Sequence, residues 1–144
     1  MSENAIKSRR AELLVESFLE DLKPSRFVKA ESENLDFDFV VAFKKPDGGL
    51  KYCAVEVMQT DSLINGEFHF MTGRRSIDAF NSNMPTIIFV ADTKRSQLYY
   101  GFASRIKTVN AAHKAGFFEV AVPTTLVGPS PDDKRRFVEA VLNS

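Results

Sequence analysis

Two strand-like runs, LDFDFVVAFK (residues 35–44) and LKYCAVEVMQT (residues 50–60), flank the turn sequence KPDGG. Their alternation limits the fold more than any other part of the chain. Side chains alternate across a strand, so Phe37, Phe39, Val41 and Phe43 share one face of the first run. Val40 and Ala42 share the other face with Asp36 and Asp38. On the second run Ala54, Glu56 and Met58 lie on one face, and Cys53, Val55 and Val57 on the other. Both faces are largely apolar, so this hairpin belongs inside a sheet covered on both sides. Glu56 is then expected to be buried, and a desolvated carboxylate costs several kcal/mol unless it is paired, protonated or metal-bound.

Hairpin geometry supplies a companion. Residues opposite one another in an antiparallel pair point to the same face. A turn centred near Asp47 or Gly48 puts Asp38 opposite Glu56 or Met58, and two carboxylates then converge. A slip of one residue would send them to opposite faces, so the register decides the matter.

The flanking elements complete an α/β pattern. In SENAIKSRRAELLVESFLEDLKP, Ala11, Leu14, Val15, Phe18 and Leu22 recur at helical spacing, with Ser2 as a cap and Pro24 as a stop. DSLINGEFHFMT carries a short strand, GRRSIDAFNSN a short helix, and TIIFVADT reads as a fully buried strand. LYYGFASRI and GFFEVAVPTTLV are further strand candidates on either side of TVNAAHKAG, which local pattern leaves open. Ser130 caps a last helix that starts at Pro131, with Asp132 and Asp133 in its first turn. The expected fold is α/β, a central mixed sheet with helices on both faces, formed by residues 1–144 as a single domain.

Charge narrows the range of partners. Nineteen basic and nineteen acidic residues cancel, so binding to an anion must come from a local patch and not from a global field. Cys53 is the single cysteine, which suits a reducing compartment and excludes an intramolecular disulfide framework. The N-terminal sequence has no apolar signal region, and no apolar run is long enough to span a membrane. The chain is expected to be cytoplasmic, with no membrane partner.

An acid near the start of one strand, followed across a hairpin by Glu-x-Lys or Gln-x-Lys, resembles the PD-(D/E)XK superfamily of restriction-endonuclease-like fold. The order LDFDFVVAF, AVEVMQT, GEFHF, MPTIIFVAD, LYYG is similar to a compact bacterial branch of that superfamily, often uncharacterised or found near defence genes. The likeness spans residues 5–106. It implies an α-β-β-β-α-β core and Mg²⁺- or Mn²⁺-dependent hydrolysis of DNA phosphodiesters, with carboxylates holding the metal. On this resemblance Asp38 and Glu56 are metal ligands and catalytic acids, with Asp36 as the alternative first acid. Glu16 or Glu12, from the stripe Glu12, Glu16 and Glu20, would supply an acid from the first helix. The lysine position falls on Met58, and a thioether carries no charge and is a poor ligand for Mg²⁺. Arg74 and Arg75 are the first candidates for phosphate contact and for the missing cation. Arg9, Arg10, Gln59 and Thr60 also lie within the motif or on the first helix. Gln59 points away from Glu56 by strand parity. A homodimer is implied if both DNA strands are cut, and no protein partner is indicated.

Each residue also has a structural role open to it. Glu56 could pair with an arginine, the glutamate stripe could be a solvated helix face, and Arg74 and Arg75 could be surface residues. The enzyme therefore stands beside an alternative, a catalytically inactive binding or regulatory module on the same fold. Other chemistries lack their motifs. His69 and His113 with one cysteine give no zinc spacing, Cys53 sits mid-strand as a small hydrophobe, and PDGG lacks the ending of a phosphate loop. Asp92, at the end of IIFVAD, reads as a cap for the turn that follows.

Overall fold

The computed structural model describes residues 3–30, 37–73, 84–110 and 117–144. Helix α1 (Glu3–Asp21) is followed by strands β1 (Arg26–Lys29), β2 (Phe39–Lys44), β3 (Leu50–Thr60), β4 (Glu67–Gly73), β5 (Thr86–Asp92) and β6 (Gln97–Phe102). A 3₁₀ turn (Ala103–Arg105) leads to β7 (Lys107–Asn110), β8 (Phe117–Pro123), β9 (Thr125–Leu126) and helix α2 (Pro131–Leu142).

Six strands form the main sheet in the order β1-β2-β3-β5-β6-β9, and β4, β8 and β7 form a second sheet with β8 in the middle. The main sheet is mixed, since β3 and β5 run parallel while β2–β3 and β5–β6 are antiparallel. A parallel pair needs a crossover connection. The short helix expected in that crossover, and with it Arg74 and Arg75, lies outside the described residues, as does Asp36.

The hairpin register is the even one. Phe39 lies opposite Val55, which sets Asp38 level with Glu56. The turn is closed by Lys45 N–H donating to Gly49 O at 2.7 Å and Gly48 N–H donating to Lys45 O at 3.0 Å. Gly48 takes φ +94, a conformation that residues with a Cβ rarely adopt.

Odd-numbered side chains of the central strands, among them Phe39, Val55 and Phe89, pack against Ala11, Val15 and Leu19 of α1 and Phe137 and Val141 of α2. Phe137 is the hub, with ring centroids of Tyr100, Phe18, Phe89 and Phe43 at 4.9, 5.2, 5.5 and 6.3 Å. Edge-on contacts of this kind add to the area each ring buries. The opposite face, with Ile88 and Val90, packs against Phe68 and Val122 of the second sheet. Among the described residues, then, both helices cover one face and the second sheet covers the other. Two adjacent tyrosines divide between these layers, Tyr100 with the helices and Tyr99 with the second sheet.

Helix α2 starts as its sequence requires. Ser130 Oγ accepts the Asp133 N–H at 3.1 Å, and Asp133 Oδ2 accepts the Ser130 N–H at 3.3 Å, a reciprocal cap. No described helix is long and apolar enough to cross a membrane.

Candidate active-site cleft

Strand β3 runs five residues beyond its pairing with β2, because β2 begins at Phe39, opposite Val55, while β3 continues from Glu56 to Thr60. On that open edge the β3 main chain needs acceptors that β2 no longer supplies. Asp38, just before β2, meets the need. Its N–H donates to Val55 O at 2.7 Å, and its carboxylate Oδ2 accepts the Val57 N–H at 2.7 Å. A side chain thus replaces the missing main-chain partner and fixes the carboxylate at the sheet edge.

The fixed carboxylate opens onto a cleft of about 350 Å³, lined by Ala11 and Glu12 of α1, Asp38, Val57, Met58 and Gln59 of β3, and Phe68, Phe70 and Met71 of β4. Burial raises the Asp38 carboxyl above its ordinary value, the Val57 N–H partly offsets this, and the negative charge of Glu12 raises it further. Glu12 also meets Arg9 at 3.6 Å, so a guanidinium borders the cleft. Lysine and arginine are absent from the described residues that line it.

The sequence-derived residues divide accordingly. Asp38 and Met58 share the cleft, so the acid and the position expected to hold lysine face a common space. From the α1 stripe it is Glu12 that lines the cleft; Glu16 is half-buried one turn further along. Glu56 is half-buried rather than buried, and it shares its face with Met58 through the pairs Glu56–Ile88 and Met58–Val90. Gln59, which parity sends to the other face, also lines the cleft because the cleft wraps round the strand edge. Its Oε1 is shut off from solvent with no hydrogen-bond partner. A buried amide oxygen left unpaired costs about 1–3 kcal/mol.

The charged side chains among the described lining residues are two carboxylates, Glu12 and Asp38. Hard cations such as Mg²⁺ and Mn²⁺ take this chemistry, and Mg²⁺ in particular uses one or two carboxylates and leaves its remaining positions to water and phosphate. The residues therefore fit such an ion. Among the described residues no three Asp, Glu, His or Cys side chains gather as a metal-holding group.

Two other candidates have structural roles. Asp92 is 3% exposed at the end of β5. Its carboxylate accepts the Arg95 N–H at 3.1 Å and the Arg95 guanidinium at 2.7 Å. Burial pushes this carboxyl up, but the Arg95 side chain and the main-chain donors outweigh burial and leave it lowered. It caps the turn, as its place in the sequence suggests. Cys53 is buried in the core, and burial pushes its thiol up to about 11, which removes it as a nucleophile at neutral pH.

A solved bacterial homing endonuclease is similar to this chain in structure, with a TM-score of 0.46 and 12% sequence identity over 99% of this chain and 95% of that one. No protein-family model and no curated protein matches the chain.

Proposed function

We propose that the chain is a nuclease-like domain whose cleft holds one divalent cation, Mg²⁺ or Mn²⁺, and a nucleic-acid phosphate, with phosphodiester hydrolysis kept low by Met58. The observation that carries this reading is the meeting in one cleft of Asp38 and Glu12 with Met58, the position expected to hold lysine. The arrangement resembles a PD-(D/E)XK site in which the acids remain and the lysine is lost.

Asp38 and Glu12 would hold the cation through carboxylate oxygens, with water and phosphate in its remaining positions. The ion supplies a polarised phosphate and a water of lowered pKa. Asp38 arrives ordered, because Val57 N–H already fixes one of its oxygens. Its raised carboxyl also makes loading depend on pH, as a proton and the cation compete for the same group. Arg9, held beside the cleft by Glu12, can stabilise phosphate charge but stays protonated and cannot take a proton from water. Met58 can do neither. Glu56, Asp36, Glu16, Arg74 and Arg75 remain proposed contributors on the sequence resemblance alone. DNA is the proposed partner, and two copies would be needed to cut both strands, since one such site serves one strand.

A non-catalytic binding module on the same fold is favoured by one observation, the lack of lysine or arginine among the described lining residues. A cleavage assay separates the two readings. With Mn²⁺ or Mg²⁺ and plasmid or single-stranded DNA, Met58→Lys is expected to raise cleavage by about 10²-fold, the typical worth of one preorganised donor. Both proteins would be melted in parallel to check folding. If Met58→Lys folds and cleaves no better than wild type, the binding module is the better reading.

A further inference from the structure

The cleft has two unlike walls. Glu12 and Asp38 make one acidic lip, while Met58, Phe68, Phe70 and Met71 make an apolar wall across from it. The Phe68 and Phe70 rings are stacked, with centroids 5.4 Å apart and planes within 16°. Phe68 is buried in the layer between the sheets, Phe70 and Met58 pack against that layer while remaining half-buried, and Met71 is 49% exposed. Among the described residues β4 is an outer strand of its sheet, and Met58 and Gln59 of β3 line the same cleft as its Phe68, Phe70 and Met71.

We infer that the cleft takes an unpaired nucleotide of a single-stranded nucleic acid, the phosphate on the acidic lip through the cation and the base against Phe70, Met71 and Met58. This rests on the cation-binding reading given above. A duplex keeps its bases paired and stacked inside and presents a charged backbone, which calls for arrays of lysine and arginine. This cleft offers aliphatic and aromatic surface instead, beside carboxylates that would repel phosphate without a cation between them. Bases of a single strand present their π-faces, and stacking on aromatic side chains is how such strands are held without sequence preference. The volume of about 350 Å³ lies at the small end of ligand cavities, the scale of one nucleotide and not of a helix.

The test is fluorescence anisotropy with a labelled short oligothymidylate and a blunt duplex of equal length, with and without Ca²⁺, which supports binding while slowing hydrolysis. Wild type, Phe70→Ala and Met71→Ala would be compared, and Mn²⁺ uptake by each measured by calorimetry. The single strand should bind at least about tenfold more tightly than the duplex. Either substitution should weaken single-strand binding by about fivefold or more, the lower range for one stacked base, and leave Mn²⁺ uptake unchanged. Met71 is exposed, so its variant keeps the test valid if Phe70→Ala unfolds. Equal or tighter duplex binding, no binding of the single strand, or binding that neither substitution alters would each overturn the inference. Absence of Mn²⁺ uptake would overturn the cation reading separately, even where single-strand binding that depends on Phe70 or Met71 stood.

Discussion

Asp38 and Asp92 sit at ends of neighbouring parts of one sheet, yet the fold treats them in opposite ways. Asp92 is almost fully buried and receives an arginine and a main-chain N–H, which hold it ionised. Asp38 is half-buried and receives one N–H; burial, with a smaller push from the neighbouring Glu12, raises its carboxyl. A carboxylate that stabilises a fold is given a cation by the chain itself. One placed beside a second carboxylate lacks that support, and such frustration is characteristic of sites where stability has been exchanged for binding.

Substitution should separate the two most widely. Asp92→Ala removes a charge-assisted pair and a turn cap, and is expected to cost about 1–3 kcal/mol of stability, read as a lowered denaturation midpoint. A smaller contrast appears in the pH dependence of stability. Asp92 has a lowered carboxyl, so its contribution is present above the unfolded pKa and is lost as pH falls through the folded one. Asp38 has a raised carboxyl, so its contribution is present below the unfolded pKa and is lost as pH rises through the folded one. Melting each Asp→Asn variant against wild type from acid to neutral pH should give difference curves of opposite slope. Curves of the same slope would break the comparison. The smallest effect is Asp38→Asn at neutral pH, which keeps an acceptor for Val57 N–H and removes the repulsion from Glu12. Stability should change by no more than about 0.5 kcal/mol, the range of ordinary surface changes, or rise.

Much of this arrangement was legible before any coordinates. The hairpin follows from the alternation around KPDGG, while its register, open in the sequence between even and odd pairings, is the even one in the structure, with Val55 and Phe39 inside together. The last helix follows from Ser130, Pro131 and Asp133, whose side chains act within one turn. What escaped is non-local. The four residues RFVK hold too little alternation to announce β1. β4 is legible as a short strand, but its pairing with β8, which builds a second sheet, depends on contacts between residues far apart in the chain, from Glu67 with Pro123 to Gly73 with Phe117. Gln59 was assigned away from the site by parity, a rule that holds within a sheet and fails at its edge, where a cleft can draw on both faces. Spacing along α1 leaves Glu16 and Glu12 as alternatives, and of the two it is Glu12 that lines the cleft.

The central claim is that Asp38 is kept for a cation. Titration of Mn²⁺ into wild type and into Asp38→Asn at neutral pH tests it most directly. Uptake of a single ion by wild type, weakened at least about tenfold in a variant of unchanged stability, is the predicted result, in line with the cost of disturbing a metal site. Equal uptake by both proteins, or none by either, would contradict it.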